Sequence, residues 1–278
     1  MVNITAADIK RLRELTGAGM LDCKNALEEA EGDVGMAVEI LRLKGAKDVT
    51  KRAQRVAANG LVAAEVEDAN VGVLLELNCE TDFVAKNKSF QQVAAQTLAT
   101  AVRSRAPDRL ALLSAEVEPG TTVQQRIDEA SAAIKEKIEL GRFARLEGGY
   151  IASYLHKSDP SLPPTVGVLV QLDAENPQLA KDLAQQVAAM RPAYVTREDV
   201  PADVLDKERR IAEQITREEG KPEKAIPRIV EGRLNSFLKD VALVEQAYVK
   251  DPKRTVKRLL AESGATVRAF ARFKIGEA

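Results

Sequence analysis

The most informative stretch of this 278-residue sequence is Val71-Gly72-Val73-Leu74-Leu75-Glu76-Leu77, because it recurs almost unchanged as Val166-Gly167-Val168-Leu169-Val170-Gln171-Leu172. The two copies lie 95 residues apart (166 − 71). Short runs rich in β-branched and other apolar residues are typical of strands. An internal repeat of this kind indicates two related structural units. Gene duplication explains the repeat, and convergence on a simple pattern is the alternative.

The segments around the two copies repeat in the same order. QQVAA at residues 91–95 recurs at residues 185–189, and the apolar segment after Gly60 resembles the one after Gly149. Each copy therefore predicts a strand, a hairpin connection, a second strand and a helix. We expect an α+β fold whose core is a duplicated pair of α+β subdomains with antiparallel sheets.

Residues 4–45 predict three short helices. Thr5 and Asp33 are good N-caps, the segment 17–19 (Gly-Ala-Gly) separates the first two helices, and Gly45 is expected to end the third. Apolar residues at helical spacing are expected to face one another in a compact three-helix bundle. Those residues are Ile9, Leu12, Leu15, Met20, Cys23, Ala26, Leu27, Val34, Ala37, Val38 and Leu41.

A basic stretch follows the bundle at residues 44–55. We interpret it as a solvated linker helix that separates the bundle from the core. A contact strip for an acidic partner is the alternative.

Residues 201–240 are densely charged. Two narrow apolar seams flank a Gly220-Lys221-Pro222 turn, which predicts a helical hairpin that projects as an antiparallel coiled coil. Residues 243–249 and 266–275 are expected to be strands that return to the second sheet, around a helix near 253–263. The seam residues are Val204, Ile211 and Ile215 before the turn, and Ile226, Val230, Phe237 and Val241 after it.

The expected organisation follows from these segments. Residues 1–55 form the three-helix bundle with its basic linker, and residues 56–142 form the first core subdomain. Residues 143–199 and 242–278 together form the second core subdomain. The helical hairpin at residues 200–241 is an insert in that second subdomain.

Composition excludes several classes of protein. Acidic and basic residues nearly cancel, 42 against 41, whereas nucleic-acid-binding proteins usually carry a basic excess. The two cysteines are far apart in sequence, which fits a reducing compartment rather than a disulfide framework. The sequence shows no signal peptide and no apolar run near the ~18–20 residues that span a bilayer. We expect a cytoplasmic protein with no stable nucleic-acid ligand and no membrane.

Motifs for covalent chemistry are missing from the sequence. The single histidine, His156, rules out an HExxH zinc site, and the sequence has no CxxC pair. It also lacks a GxxxxGK[ST] loop, a GxGxxG fingerprint and a GxSxG elbow. We therefore expect no catalytic residue, no cofactor and no metal, and we favour a protein that acts by binding. His156 is a candidate for contact with a partner.

The segment NCETDFVAKN at residues 78–87 is unusual, because a polar turn after the first repeated strand carries an apolar pair, Phe83 and Val84. The equivalent place in the second repeat, residues 173–177, has no aromatic residue. The repeat itself therefore does not require Phe83. Two interpretations stay open: Phe83 caps the local core, or it is an exposed aromatic anchor for a partner.

This turn also carries a resemblance to a known family. TDFV at residues 81–84 resembles the hallmark of bacterial elongation factor Ts, and TGAGMLDCKNAL at residues 16–27 resembles the other signature of that family. The similarity continues through GDVGMAVEILRLKGA at residues 32–46, VGVLV at 166–170 and EGR at 231–233. It covers essentially the whole chain in the right order.

The resemblance implies a guanine nucleotide exchange factor, not an enzyme. Members of this family bind elongation factor Tu, the GTPase that carries aminoacyl-tRNA, and promote the release of its GDP so that GTP can rebind. The turn is implied to enter the partner and to displace Mg²⁺ by insertion of Thr81, Asp82, Phe83 and Val84. The bundle is implied to be similar to ubiquitin-associated domains and to dock on the GTPase domain, and its contact residues would be Leu12, Arg13, Gly19 and Met20.

The resemblance also implies that the helical hairpin is a dimerisation element, so a homodimer through residues 200–241 is one expectation. Some family members carry a further C-terminal helical module, and contacts made by that module are not expected here. Two other functions stay open. The first forty residues alone would suit a ubiquitin-associated or nascent-chain-binding adaptor, although an adaptor has no need of the TDFV turn. An enzyme with an unrecognised site is the third hypothesis.

Overall fold

The computed structural model describes residues 4–157 and 159–277, the side chain of Ala46 excepted. The chain has an α+β fold, as the repeat predicted, and its sheets are antiparallel. The helices are α1 (Ala6–Thr16), α2 (Met20–Glu29), α3 (Val34–Arg52), α4 (Asp82–Lys86), α5 (Lys88–Ser104), α6 (Arg109–Ser114), α7 (Val123–Ile134), α8 (Pro177–Met190), α9 (Ala202–Glu218), α10 (Ile226–Val241) and α11 (Val256–Ser263). The strands are β1 (Asn59–Glu67), β2 (Val71–Cys79), β3 (Glu116–Glu118), β4 (Thr121–Thr122), β5 (Ile138–Glu147), β6 (Tyr150–His156), β7 (Val166–Leu172), β8 (Ala247–Tyr248), β9 (Asp251–Thr255) and β10 (Val267–Lys274).

Two sheets of three strands form the centre of the molecule. Their strand orders are β1-β2-β5 and β6-β7-β10, so each repeated strand lies in the middle of its sheet. The helix after each repeated strand, α5 or α8, packs on the outer face of its own sheet. The inner faces pack against each other, which gives a helix–sheet–sheet–helix arrangement. Both halves of the sequence repeat thus have the same architecture.

The two sheets meet at the glycines of the repeat. A Cβ atom on Gly167 would lie 2.8 Å from Cδ1 of Leu74 and closer still to Cγ1 of Val62, both on the first sheet. A Cβ atom on Gly72 would lie 2.7 Å from Cγ2 of Ile151 on the second sheet. Each copy of the repeat thus presses its glycine against the other copy. This reciprocal contact has the pattern of a local two-fold axis and favours duplication over convergence.

A second pair of glycines opens each hairpin. Gly60 and Gly149 have φ of +146° and +62°, values that side-chain-bearing residues rarely adopt. A Cβ on either would collide with the carbonyl oxygen of the facing strand, at Leu77 or at Leu172. The close approach of the two strands in each hairpin therefore requires glycine.

The N-terminal helices α1–α3 pack around a small apolar cluster that includes Leu12, Cys23 and Leu27. The predicted capping box at Thr5 forms with Asp8. Leu15 and Met20, expected inside, are exposed instead. Their positions on short amphipathic helices are at the margin of the apolar face, where the helical period alone does not determine burial.

Gly45 does not end the third helix, because α3 continues to Arg52. Gly45 faces α7 there, and a Cβ on it would lie 3.0 Å from Cβ of Ala132. The Arg52 side chain is buried, and its guanidinium donates a hydrogen bond of 3.3 Å to the carbonyl oxygen of Ser131. The basic stretch is therefore helical, as expected, but it packs on the core instead of forming a solvated linker.

Strand β5 was not anticipated. It pairs with β2 and includes residues on both sides of the expected boundary between residues 142 and 143. The division into domains stays a prediction, and the pairing extends the first unit to Glu147. The segment predicted as a strand at 243–249 is a 3₁₀ turn, Leu243–Glu245, followed by the two-residue strand β8, which pairs with β9. The last strand, β10, joins the second sheet as predicted.

The predicted helical hairpin is present as α9 and α10, joined through Gly220 in a left-handed conformation (φ +68°). Its seam differs from the prediction. The buried contacts are made by Ala212, Ile226 and Val230, whereas Ile211 and Ile215 are about 40% exposed (40% and 39%). Among the described residues, no helix is long and apolar enough to cross a membrane.

Replacement of Gly167 by Ala is expected to lower the free energy of unfolding by about 1–3 kcal/mol, because the new Cβ overlaps side chains of the first sheet. Val62→Ala removes the methyl group that the new Cβ would meet, so the double variant should lose less than the sum of the single losses. Urea unfolding measures these free energies.

Gly232→Ala is the matched control for this substitution. Gly232 is exposed on α10, and no heavy atom lies within 4 Å of a Cβ built there. Its replacement should stabilise the chain by about 0.5–1 kcal/mol, because Gly is a poorer helix former than Ala. Equal losses at Gly167 and Gly232 would contradict the proposed packing of the sheets.

Candidate functional site

The TDFV segment forms a short helix at the end of β2. Thr81 is the N-cap of α4, and its Oγ1 accepts a hydrogen bond of 3.4 Å from the backbone N–H of Val84. Val84 and Ala85 point into the core of the first sheet. Phe83 is 79% exposed. The cap and the buried pair therefore fix a turn that holds an aromatic ring in solvent.

Exposure decides between the two interpretations of Phe83. The ring does not cap the local core, because that place is taken by Phe90 of α5, which is fully buried. Val84, predicted with Phe83 to contact a partner, is buried in the described structure (8% exposed). Its apolar side chain anchors α4, so the surface that the turn offers consists of Thr81, Asp82 and Phe83.

A carboxylate from another part of the chain holds Thr81. The backbone N–H of Thr81 donates to Oε2 of Glu136 at 3.1 Å, and its hydroxyl donates to Oε1 of the same residue at 2.7 Å. Burial raises the pKa of the Cys79 thiol to about 12, so the thiol stays protonated and donates to the carbonyl oxygen of Thr81 at 3.2 Å. Every polar backbone atom of Thr81 therefore has a partner before any other protein binds.

Glu80 is fixed in the same manner. Its carboxylate accepts a hydrogen bond of 2.6 Å from the backbone N–H of Lys137 and one of 3.2 Å from Arg55. Burial disfavours the charge, but the N–H of Lys137 and the guanidinium of Arg55 together hold the pKa of Glu80 below its usual value. Its carbonyl oxygen accepts from Asn59 at 2.8 Å. The segment before Phe83 is thus pinned at both of its residues.

The second repeat has a comparable arrangement with the partners exchanged. Asp173, just after β7, accepts hydrogen bonds from the backbone N–H and the hydroxyl of Thr266, just before β10, at 2.8 and 2.7 Å. In the first repeat the threonine follows the central strand and the carboxylate precedes the edge strand. Both sheets therefore close the same pair of strands with a carboxylate–threonine clasp, but only the first copy carries an exposed helix such as α4.

The predicted contact residues of the bundle separate into two groups. Arg13 and Met20 are exposed, and Gly19 is partly buried. Leu12 is fully buried, so it supports the bundle and is not accessible at its surface. Several apolar side chains are exposed on these helices although the spacing did not predict it. They are Leu15, Met20, Leu21, Met36 and Leu43.

Ion pairs connect the bundle to the core. Asp22 of α2 accepts hydrogen bonds from Lys44 of α3 at 2.7 Å and from Lys135, just after α7, at 3.0 Å. The hydrogen bond from Lys44, followed by that from Lys135, lowers the pKa of Asp22. Arg42 of the bundle also lies 3.3 Å from Glu129 of α7. A crevice of about 910 Å³ lies between the bundle and the core along these contacts.

His156 lies at the end of β6, away from any cluster of titratable groups that could hold a metal among the described residues. Its Nδ1 is 3.1 Å from the hydroxyl oxygen of Tyr154, and the two rings stack with their centroids 6.1 Å apart. The side chain is exposed. Its proposed role in partner contact stays a prediction.

Fold and site together define a class of protein: a two-sheet α+β factor that presents an aromatic side chain on a preorganised turn, beside a helical bundle with an exposed apolar surface. Aromatic residues held rigidly at a surface are typical of binding hot spots.

Comparison with known proteins identifies the family. A family model described as elongation factor TS matches residues 80–277. Elongation factor Ts of Thermobifida fusca (strain YX) is 61% identical over 278 residues, and that of Acidothermus cellulolyticus is 56% identical over 277 residues; each alignment covers 100% of both chains. Elongation factor Ts of Mycobacterium ulcerans (strain Agy99) is 55% identical over the whole of both chains. The chain belongs to the elongation factor Ts family.

The sequence did not indicate the residues that hold the site. Glu136 lies in the charged segment IKEKIE at residues 134–139, where nothing distinguishes it from its neighbours. Asp22 and Lys135 are equally unremarkable in sequence. A signal existed only in combination, because a third antiparallel strand beside β2 would have brought residues 136–137 next to residues 80–81.

Phe83→Ala is expected to leave the free energy of unfolding within about 0.5 kcal/mol of the original chain, because an exposed side chain loses little packing. Phe90→Ala, the same substitution seven residues later, should cost about 3–5 kcal/mol, because it leaves a cavity in the core of the first sheet. Urea unfolding of the two variants gives the comparison. Similar losses in both would mean that Phe83 belongs to the core.

Proposed function

We propose that this chain is the guanine nucleotide exchange factor of elongation factor Tu. It binds that GTPase, promotes the release of GDP and so allows GTP to bind. Membership of the elongation factor Ts family supports the proposal. The single structural observation that carries it is the exposed ring of Phe83 on a turn whose polar atoms are already satisfied.

Exchange requires a difference in affinity between two states of the partner. A factor that binds the GDP-bound and nucleotide-free states equally well shifts nothing, however tightly it binds. By reciprocity, the factor and GDP must weaken each other's binding by the same ratio. The turn is suited to this task, because a ring that inserts beside the nucleotide site stabilises only a partner whose site has been distorted.

The proposed mechanism uses the turn as a wedge. Phe83 and Asp82 enter the GTPase domain and displace Mg²⁺, which together with backbone N–H groups clamps the phosphates of bound nucleotide. Nζ of Lys86 lies 3.2 Å from the carboxylate of Asp82, so part of the acidic charge is balanced as the turn enters. Burial of one Phe side chain is worth roughly 1.5–3 kcal/mol, or about 10–200-fold in an equilibrium.

The remaining binding energy comes from other surfaces. We assign part of it to the N-terminal bundle, which resembles ubiquitin-associated domains and would dock on the GTPase domain. Its exposed contact residues are Arg13, Gly19 and Met20, and Leu12 keeps them in place from inside. The core would contact a neighbouring β-barrel domain of the partner, and His156 is a candidate for that contact.

No covalent reaction is part of this function. The chain needs no cofactor, and its balanced charge (42 acidic and 41 basic residues) provides no general attraction for nucleic acid. We place its activity in the cytoplasm, where translation takes place.

The test is the release of fluorescent GDP from purified elongation factor Tu, with and without this protein. Acceleration by substoichiometric amounts of the chain is expected. Phe83→Ala should slow the maximal release rate by about 10-fold or more, because the buried ring contributes roughly 1.5–3 kcal/mol.

Leu110→Ala serves as control, because Leu110 is another exposed apolar residue of the first subdomain but lies on α6. It should retain the original rate. A correctly folded chain that fails to accelerate release from a cognate partner would overturn the exchange function and favour a binding adaptor.

We further propose that the α9–α10 hairpin forms a homodimer as an antiparallel coiled coil. Ile211 and Ile215 lie one helical turn apart, and both are partly exposed, so they offer an apolar strip to a second copy. The strip is short, so the dimer is expected to be weak and dependent on concentration.

Ile211→Asp should raise the dissociation constant of the dimer by at least about tenfold, since it would place a charge in an apolar contact. Sedimentation equilibrium measures the constant. Leu110→Asp places the same charge on an exposed apolar position outside the hairpin and should leave it unchanged. A chain that is monomeric at high concentration before any substitution would remove the premise.

A further inference from the structure

The connection between α7 and β5 contacts both of the surfaces proposed to meet the partner. Lys135 ends α7 in a left-handed conformation (φ +66°), and Glu136 and Lys137 lead into β5. Lys135 reaches Asp22 of the N-terminal bundle at 3.0 Å. The next residue, Glu136, accepts both hydrogen bonds from Thr81 of the turn. One short segment thus touches the bundle and the turn through adjacent residues.

The segment is itself firmly held. The hydroxyl of Ser131 donates a hydrogen bond of 2.6 Å to the carbonyl oxygen of Glu136, and the guanidinium of Arg52 donates to the carbonyl oxygen of Ser131. At its other end, Ile138 pairs with Cys79 in the sheet. Because both ends are anchored in the core, the positions of Lys135 and Glu136 are set by the fold and not by a partner.

We infer that Lys135 and Glu136 are positioning residues for nucleotide exchange: Glu136 sets the orientation of the Phe83 turn, and Lys135 sets the place of the N-terminal bundle. The inference rests on the proposed function and extends it, because neither residue needs to touch the GTPase. Each acts through the residue that it holds, Thr81 or Asp22.

Hydrogen-bond geometry explains why a carboxylate is required at residue 136. The Thr81 hydroxyl has one proton, which it gives to Glu136, so its lone pairs stay available to cap α4 through the N–H of Val84. The second carboxylate oxygen takes the backbone N–H of Thr81. Two charge-assisted bonds to one residue fix both its backbone and its side chain. They therefore fix the start of α4 and the direction in which Phe83 projects.

The contact at Lys135 is different in kind. Its side chain is largely exposed, and Asp22 keeps a second partner in Lys44. Loss of Lys135 therefore leaves no unpaired carboxylate, and the bundle keeps its own fold. What is lost is the direct link between α2 and the core, so the bundle should lose alignment with the turn while each part stays intact.

The experiment measures GDP release from elongation factor Tu over a range of concentrations of the full chain. Glu136→Ala should reduce the maximal release rate about tenfold, equivalent to ~1.4 kcal/mol, and change the half-saturating concentration less than twofold. Lys135→Met should do the reverse: the maximal rate is kept, and the half-saturating concentration rises about threefold. Glu136→Gln keeps one acceptor oxygen and should recover part of the rate.

Glu139→Gln is the matched control. Glu139 lies three residues further along, on β5, and pairs with Lys137 at 3.1 Å without contact to the turn. It removes the same charge from the same neighbourhood and should leave both kinetic constants unchanged. Thr81→Val tests the route of the effect, since a residue that acts through Thr81 cannot add its full loss to that of Thr81→Val.

Amide hydrogen exchange of the free chain gives a readout that does not involve the partner. Glu136→Ala should speed exchange at Thr81 and Val84, whereas Glu139→Gln should not. Unchanged maximal rate and unchanged protection in Glu136→Ala would overturn the inference while the proposed function stands. An original chain with no effect on GDP release would overturn the proposed function and, with it, the role given to both residues.

Discussion

The contact between the two sheets is the constraint on which the other features of the structure depend. Gly72 and Gly167 let the central strands approach closely, and Leu74 and Leu169 fill the space beside them. Alternate residues of each central strand face the outer helices instead, where they form two further apolar clusters. A strand buried on both faces must be apolar throughout, which is why the repeated stretch has almost no polar residue. Aromatic rings are scarce in this chain, 4% of residues, so the thin layer between the sheets is filled by aliphatic side chains.

The same sheets determine where the exposed turn lies. Because β2 and β5 are antiparallel and Cys79 pairs with Ile138, the residues after one strand lie beside the residues before the other. Glu80 therefore meets Lys137, and Thr81 meets Glu136. The site begins where the ladder of backbone hydrogen bonds ends and side-chain bonds continue it. A buried ion pair on the same strands, Arg142 with Glu76 at 2.7 Å, links this sheet to the second one, since Arg142 also donates to the carbonyl oxygen of Lys274.

The sequence predicted those parts of the fold whose signal is local. Repeated strands, the helices after them, the capping box at Thr5 and the helical hairpin were all predicted, because each has a periodic pattern or a turn signature. Strand β5 was missed, because GRFARLE alternates poorly and most of its residues are only partly buried. Gly45 was misjudged, because a glycine that accommodates a neighbouring helix has the same letter as one that ends a helix. Of the site, the turn itself was predicted, but the exposure of Phe83 and the role of Glu136 depend on residues more than fifty positions away, which no local pattern contains.

The two clasps, Thr81 with Glu136 and Thr266 with Asp173, show what duplication contributes to a protein of this kind. Each copy of the sheet has an equivalent strand end that must be closed. The second copy closes it and does nothing else, whereas the first has acquired five helical residues, Asp82–Lys86, beyond its clasp. An ancestral single unit could not have altered this end without risk to its only sheet. Once the unit was doubled, one end could vary while the other preserved the shared layer, so the asymmetry between the copies is a record of where selection was free to act.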